Sequence, residues 1–518
     1  MLFSTGTFLF LFVPVSLLGY QLASRFGRPA MLAWLTAASL FFYGYWNPRY
    51  LALLGGSILM NFFFARRIAQ RRSEEAGSRW LIAAIASDLL LLAYYKYLFP
   101  VLGFLHDHGL LQHEFSSVVL PLGISFFTFT QIAYLVDLRE GGANLQELLP
   151  YSVFVTFFPH LIAGPIIHPR EVMPQLEEGR IHGLRADDVA LGLSWFLLGL
   201  GKKVLIADRI APLADVLYAH PRTAGMSTSW LGALAYGMQL YFDFSGYSDM
   251  AVGLARMFSI RFPFNFNSPL KAQGVIEFWH RWHMTLSRYL NEYLATPITR
   301  WIVSRRLDAG KRISRKATAT LEGYFSMVFT PLMVTMFLCG IWHGAGLQFV
   351  AWGVIQGIFL CLNHAWRIWT PPGHPLYRKI PPAAMIVVNL LCYVTSEVFF
   401  RAASLRDAFY VAGTMLGLHG MGTSFAAFPF LAEIPPTSVF LTHAKTAMVA
   451  LGVCLFIVWA MPNTQEIFGQ QSEDERSASL LPNLRWTPSL AWSCGLTALF
   501  CLTFLMLDAS KRFLYFQF

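Results

Sequence analysis

The sequence predicts an all-α polytopic membrane protein, and three observations carry that prediction. Of 518 residues, 55% are hydrophobic and only 13% are charged, where an ordinary soluble domain carries about 25% charged residues. The apolar residues come in runs of about 20, the length a bilayer-crossing helix needs. The cations sit in short clusters between those runs, such as Arg66, Arg67, Arg71, Arg72 and Arg79, as the loop anchors of membrane proteins do. So little charge cannot cover so much apolar surface in water, which excludes a cytosolic globule, a disordered chain and a nucleic-acid-binding arm. The net charge of +10, from 39 Lys and Arg against 29 Asp and Glu, is read as attraction to acidic lipid headgroups, with no nucleic acid involved.

Taken in order, the candidate spans are 5–24, 30–47, 50–65, 80–99, 117–137, 150–168, 188–207, 230–255, 321–341, 347–368, 383–400, 441–460 and 490–507, about 11 to 13 helices in all. The first lacks a basic leader and reads as a retained span rather than a cleaved signal. Prolines and glycines within spans are tolerated because neighbouring helices satisfy the freed backbone. Segments 150–168 and 404–418 read equally well as re-entrant or interfacial. The 66–79 cluster and the loop holding Arg300, Arg305, Arg306, Lys311, Arg312, Arg315 and Lys316 both fall inside if the N-terminus is outside. The turn after span 321–341 then faces outward. Cys339, Cys361, Cys392, Cys454, Cys494 and Cys501 contain no Cys-x-x-Cys pair, so neither a disulfide framework nor a thiolate metal site is expected. Glu473-Asp474-Glu475-Arg476, within the polar stretch 465–488, reads as a solvated loop.

Chemistry concentrates in two places. The first is 241–296, with Tyr-Phe-Asp-Phe-Ser-Gly-Tyr-Ser-Asp at 241–249, Phe-Asn-Phe-Asn-Ser-Pro at 264–269 and Glu-Phe-Trp-His-Arg-Trp-His at 277–283. Ionisable residues this dense are costly in lipid and mark a functional site or an internal partner. On one continuous helix Trp279 and His283 would share a face, and Glu277 and Arg281 a neighbouring one. The plainer reading is an interfacial helix with an internal ion pair. Asp243 and Asp249 need cations, with Arg281, Arg256 or Arg261 as candidates; this reads as helix packing before catalysis. The second place is Gly340-Ile-Trp-His-Gly344, where glycines permit close approach and His343 is suited to take a proton from a hydroxyl. A capping or interface histidine is the plainer alternative. Glu277-x-x-His280 matches half of a di-iron carboxylate motif, but no second half exists in the sequence, so no metal is expected. There is no Gly-x-Ser-x-Gly elbow and no phosphate-binding loop at Gly199-Leu-Gly-Lys-Lys203.

Together these motifs resemble the membrane-bound O-acyltransferase family in its bacterial polysaccharide branch. The resemblance runs through Leu-Pro-Leu-Gly-Ile-Ser-Phe-Phe-Thr-Phe at 120–129, Pro-His-Leu-Ile-Ala-Gly-Pro at 159–165, the 241–251 and 277–283 stretches, Trp-His-Gly-Ala at 342–345 and Phe-Leu-Tyr-Phe-Gln-Phe at 513–518. It implies one membrane domain over 1–518, with N-terminal helices in 1–115, an acyltransferase core in 116–370 and C-terminal helices in 371–518. It implies a ring of tilted helices around a central funnel or tunnel. His343 and His283 match the family's two histidines and are the implied catalytic pair. Trp279, Trp282, Trp342, Gly340, Gly344, Asp243, Ser245, Asn265 and Asn267 are the implied tunnel residues. His280 stands where the family usually has Arg. The implied reaction passes an acetyl group from a cytoplasmic donor, acetyl-CoA or another acyl thioester, to an extracytoplasmic acceptor, with no bound cofactor. A hydrolase-like or acetyltransferase partner outside the inner membrane and a polysaccharide acceptor (alginate, cellulose or peptidoglycan) are the implied associates. A transporter or a non-catalytic scaffold of a polysaccharide export complex is the competing class.

Overall fold

The computed structural model describes residues 1–113, 118–177, 179–371, 373–375, 379–420, 444–469, 479–508 and 513–514. Among the described residues every regular element is a helix. Seven are long and apolar enough to cross a bilayer: Phe8–Phe26, Arg49–Gln70, Glu75–Asp107, Ala186–Ala219, Leu321–His343, Leu347–Trp369 and Pro382–Arg401. Each falls on an expected span. Met448–Ala460 and Leu490–Leu505 are shorter apolar helices. Helices satisfy their own backbone hydrogen bonds within lipid, and seven such helices make this a multi-pass membrane protein.

Several expected spans are shortened or broken, and the backbone says why. Segment 117–137 becomes helical only at Ile124, after Gly123 at φ +73. A Cβ on Gly123 would sit 2.5 Å from the Leu161 carbonyl oxygen, so only glycine fits that left-handed corner. Segment 150–168 splits into Leu148–Thr156 and the single turn Phe158–Leu161, separated by Phe157 at ψ 112 and opened by Pro159. Segment 404–418 forms the 11-residue helix Leu405–Met415, about 16 Å long and too short to cross a bilayer, as the re-entrant and interfacial readings both require. Segment 230–255 lies inside one 32-residue helix, Met226–Met257. The loop at Glu473-Asp474-Glu475-Arg476 and the terminal Tyr515 to Phe518 lie outside the described residues, as do positions 441–443 of the 441–460 span.

The chain divides into two compact units that alternate along the sequence. The first comprises the described residues of Met1–Gly201, Gly246–Phe264 and Thr487–Gln517; the second comprises those of Lys202–Ser245 and Asn265–Trp486. In the first, helices Arg49–Gln70, Glu75–Ala93 and Ile124–Glu140 pack on one another. Their shared polar centre joins Asn61 Nδ2 to Asp88 Oδ1 at 2.8 Å, Gln131 Nε2 to Ser57 Oγ at 2.8 Å and the Tyr151 hydroxyl to Gln131 Oε1 at 3.1 Å. Asp249 accepts the Trp195 indole N–H at 3.2 Å, and Arg256 pairs with Asp188 at 2.7 Å.

In the second unit, helix Thr330–His343 packs against Leu347–Trp369, which packs in turn against Pro382–Arg401. The first contact is very close. A Cβ on Gly340 would lie 2.5 Å from the Phe349 carbonyl oxygen and 3.1 Å from Gly353 Cα. Every site residue expected from the sequence belongs to this unit.

Candidate functional site

The segment 277–287 is not one helix. Val275–Arg281 ends where Trp282 turns extended, and His283 takes φ +41, ψ +52 before Met284–Leu290 begins. Trp279 and His283 therefore do not share a helix face, which corrects the spacing argument. The Glu277–Arg281 pair does form, at 2.8 Å. A left-handed histidine costs backbone energy, and such residues cluster at functional sites. Only three non-glycine residues among those described have positive φ: Ser259, Ser268 and His283.

A strap from 265 to 268 holds this break in place. Asn267 N–H donates to the Arg281 carbonyl at 2.9 Å, and Met284 N–H donates to the Asn265 carbonyl at 2.9 Å. Asn463 Nδ2 donates to Asn267 Oδ1 and to Ser268 Oγ, each at 3.0 Å, and Gln465 donates to the Phe266 carbonyl. The Asn265 side chain then reaches the histidine. Its Oδ1 accepts from the Thr285 hydroxyl at 2.6 Å and lies 3.3 Å from His283 Nδ1. A carboxamide oxygen is an acceptor only, so the imidazole proton sits on Nδ1 and Nε2 carries the lone pair. His283 lies outside the spans, 2% exposed. Burial pushes its pKa down to about 3, so the ring is neutral at physiological pH. Phe244 packs edge-on to it at 4.7 Å.

His343 is the last residue of the Thr330–His343 helix and is buried. Three rings enclose its imidazole. Trp342 lies at 4.7 Å, Trp352 at 4.9 Å and 85°, and Phe400 at 4.9 Å and 77°. Packed rings also connect the two histidines. From His283 the contacts pass to Phe244, Phe266, Trp282, Phe278, Trp279 and Trp352, and so to His343, with centroids 4.7 to 6.2 Å apart at each step. The three tryptophans singled out in the sequence belong to this aromatic packing.

Other expected residues have different surroundings. Gly340 is a helix-packing glycine, and the space beside Gly344 is filled by the Phe349 ring. The room these glycines leave is thus occupied by protein, which makes them packing residues rather than the tunnel lining the resemblance implied. Gly344 has φ −171, ordinary extended backbone. Asp243 pairs with Lys203 at 2.7 Å rather than with any of the arginines considered, and Lys203 also meets Asp208 at 2.8 Å. Asp243 is thereby part of a buried ion cluster. Asp249 and Arg256 meet partners other than each other, as given above. Ser245 is buried, 2% exposed.

Two residues at the site escaped the sequence reading. Trp352 forms a wall of the His343 box, and buried Glu397 accepts its indole N–H at 3.2 Å. The signal for Glu397 was available. It is an acidic residue inside an apolar span, which by itself marks a site worth testing. Among the described residues no group of three or more His, Cys, Asp and Glu is arranged to hold a metal ion.

The fold and the site together define a multi-pass helical membrane protein with two buried histidines set in an aromatic interior. The sequence model of the membrane-bound O-acyltransferase family matches residues 17–306, a stretch that includes His283 and stops short of His343. The chain is 36% identical to a peptidoglycan O-acetyltransferase of Helicobacter pylori over 92% of each chain. It is 33% identical to a probable alginate O-acetylase of Pseudomonas putida over the full length of both. A teichoic acid D-alanyltransferase of Bacillus subtilis is 27% identical over 63% of this chain and 79% of its own. The chain belongs to the membrane-bound O-acyltransferase family, and it is an acyltransferase.

Proposed function

We propose that this protein moves an acetyl group from a cytoplasmic thioester, acetyl-CoA, to a carbohydrate hydroxyl on the far side of the membrane. The observation that carries this reading is the His343 box, a titratable base at the end of an apolar span, walled by three aromatic rings. His343 takes the proton of the acceptor hydroxyl. The oxygen attacks the thioester carbonyl carbon, the C–S bond breaks, and the departing sulfur receives the proton as a free thiol. A positioned base of this kind contributes about 10²–10⁴-fold.

His283 serves the donor through the lone pair on its Nε2. With Nδ1–H directed at Asn265, its Nε2 is an acceptor and has no proton to offer a carbonyl. It therefore holds an N–H of the donor's arm rather than polarising the thioester. The exposed Arg300, Arg305, Arg312 and Lys316 suit the donor's phosphates.

Relatives with O-acetyl names act on peptidoglycan and on alginate by their names, which supports a polysaccharide acceptor. An extracytoplasmic partner that completes the transfer belongs to the same proposal. The test uses inside-out membrane vesicles given acetyl-CoA labelled in the acetyl group. Label is expected on lumenal carbohydrate, and an excess of longer acyl-CoA should compete weakly. Label confined to the outer face of the vesicles would overturn the direction, and equal competition by long chains would overturn the donor.

A further inference from the structure

We infer that Glu397 is a positioning residue for His343, acting through the Trp352 indole. This deepens the reading of His343 as the base and rests on it.

Glu397 is 4% exposed, about one turn before the C-terminal end of the Pro382–Arg401 span. A carboxyl group there is costly and is kept only with a hydrogen-bond partner. Its Oε1 accepts the Trp352 Nε1–H at 3.2 Å. That indole stands at 85° to the His343 ring with centroids 4.9 Å apart. Phe400, one turn beyond Glu397, touches both rings, His343 at 4.9 Å and Trp352 at 5.2 Å. One helix thus supplies a wall of the imidazole box and also the acceptor that fixes the other wall.

A second tie lies one turn along. Gln356 follows Trp352 by four residues and donates to Ser396 Oγ at 2.8 Å, while its Oε1 accepts the Trp279 indole N–H at 3.2 Å. Trp279 meets Trp352 at 6.1 Å. The Leu347–Trp369 and Pro382–Arg401 helices are therefore joined by two side-chain bonds, at Glu397 and Ser396. Each bond involves a residue that also fixes a tryptophan of the site. An indole N–H in an apolar enclosure needs an acceptor. Without one the ring turns to find another, and the imidazole packed against it turns too. A base displaced by about 1 Å loses about 10²-fold in rate. Glu397 touches neither donor nor acceptor in this scheme. Its carboxyl oxygen works as a hydrogen-bond acceptor, not as a charge.

The experiment measures acetyl-transfer kinetics of the full-length protein in nanodiscs for wild type, Glu397→Gln, Glu397→Leu, Trp352→Phe, the Glu397→Leu/Trp352→Phe double variant and His343→Ala. Glu397→Gln keeps an acceptor oxygen and should stay within about threefold of wild type in kcat. Glu397→Leu and Trp352→Phe should each lose about tenfold or more in kcat, with KM for the donor within about twofold. The double variant should be no worse than either single one. Glu397→Leu at wild-type rate, Glu397→Gln as poor as Glu397→Leu, or additive losses in the double variant would each overturn the inference. If Glu397→Leu does not give folded protein, Trp352→Phe against Glu397→Gln carries the same contrast. An active His343→Ala removes the base itself. An inactive His343→Ala beside a fully active Glu397→Leu removes only the role of Glu397.

Discussion

The Asn265 carboxamide oxygen lies 3.3 Å from His283 Nδ1 and 2.6 Å from the Thr285 hydroxyl. One side chain on the 265–268 strap thus fixes the tautomer of a histidine that has left-handed backbone. Asn265→Ala should release that ring and lower kcat/KM by about tenfold or more, with folding retained because the strap's backbone bonds to Arg281 and Met284 remain. Steady-state kinetics with varied donor, on protein checked by size-exclusion chromatography, reads this directly.

His283 also sets an expectation for pH. Its pKa falls from 6.5 to about 3 on burial, so between those values the unfolded chain binds a proton that the folded one does not. Its contribution to stability is complete above about pH 6.5 and is lost as the pH falls toward 3. Thermal midpoints of the detergent-solubilised protein should decline over that range, and His283→Gln should flatten the decline. The rate profile between pH 5 and 8 should owe no inflection to His283.

The Lys203 ammonium lies between Asp208 and Asp243, with all three side chains nearly inaccessible. Removing one member of a buried ion pair strands the other charge, at a cost of about 3–5 kcal/mol. Lys203→Met should lower the unfolding midpoint sharply or prevent isolation of folded protein. Asp243→Asn retains an oxygen that accepts from the ammonium and should be milder. A Lys203→Met protein as stable as wild type would contradict the role assigned to the cluster.

Gly340→Ala tests the helix contact under His343. The added methyl would fall 2.5 Å from the Phe349 carbonyl oxygen, so the two helices must separate or shift, costing about 1–3 kcal/mol. Because His343 ends that same helix, kcat should fall along with stability. Unfolding midpoint and kcat measured on one preparation check both.

Much of this was legible in the sequence because membrane burial leaves a coarse signal. The apolar runs at 321–341, 347–368 and 383–400 became the three packed helices around His343, since length and hydrophobicity alone decide whether a helix suits a bilayer. The 150–168 run kept its composition but not its continuity, because Phe157 and Pro159 redirect the backbone in a way hydropathy does not register. The same holds at His283. The spacing from Trp279 was helical, yet strap bonds from Asn265 and Asn267, more than ten residues upstream, impose the break. The partner of Asp243 was missed because nothing local marks Lys203 as its neighbour forty residues earlier. Glu397 was missed for the opposite reason. Its signal was local and plain, an acid within an apolar span, but it stood outside the motifs that drew attention.

The central claim is that His343 is the base of acetyl transfer. The most direct measurement is loss of the acetyl group from labelled acetyl-CoA by purified wild-type protein in nanodiscs, supplied with its native membrane extract as acceptor source, beside His343→Ala of matched fold and thermal midpoint. Transfer by wild type that falls by about 10²-fold or more in His343→Ala is the expected result. Equal transfer by both proteins would contradict it.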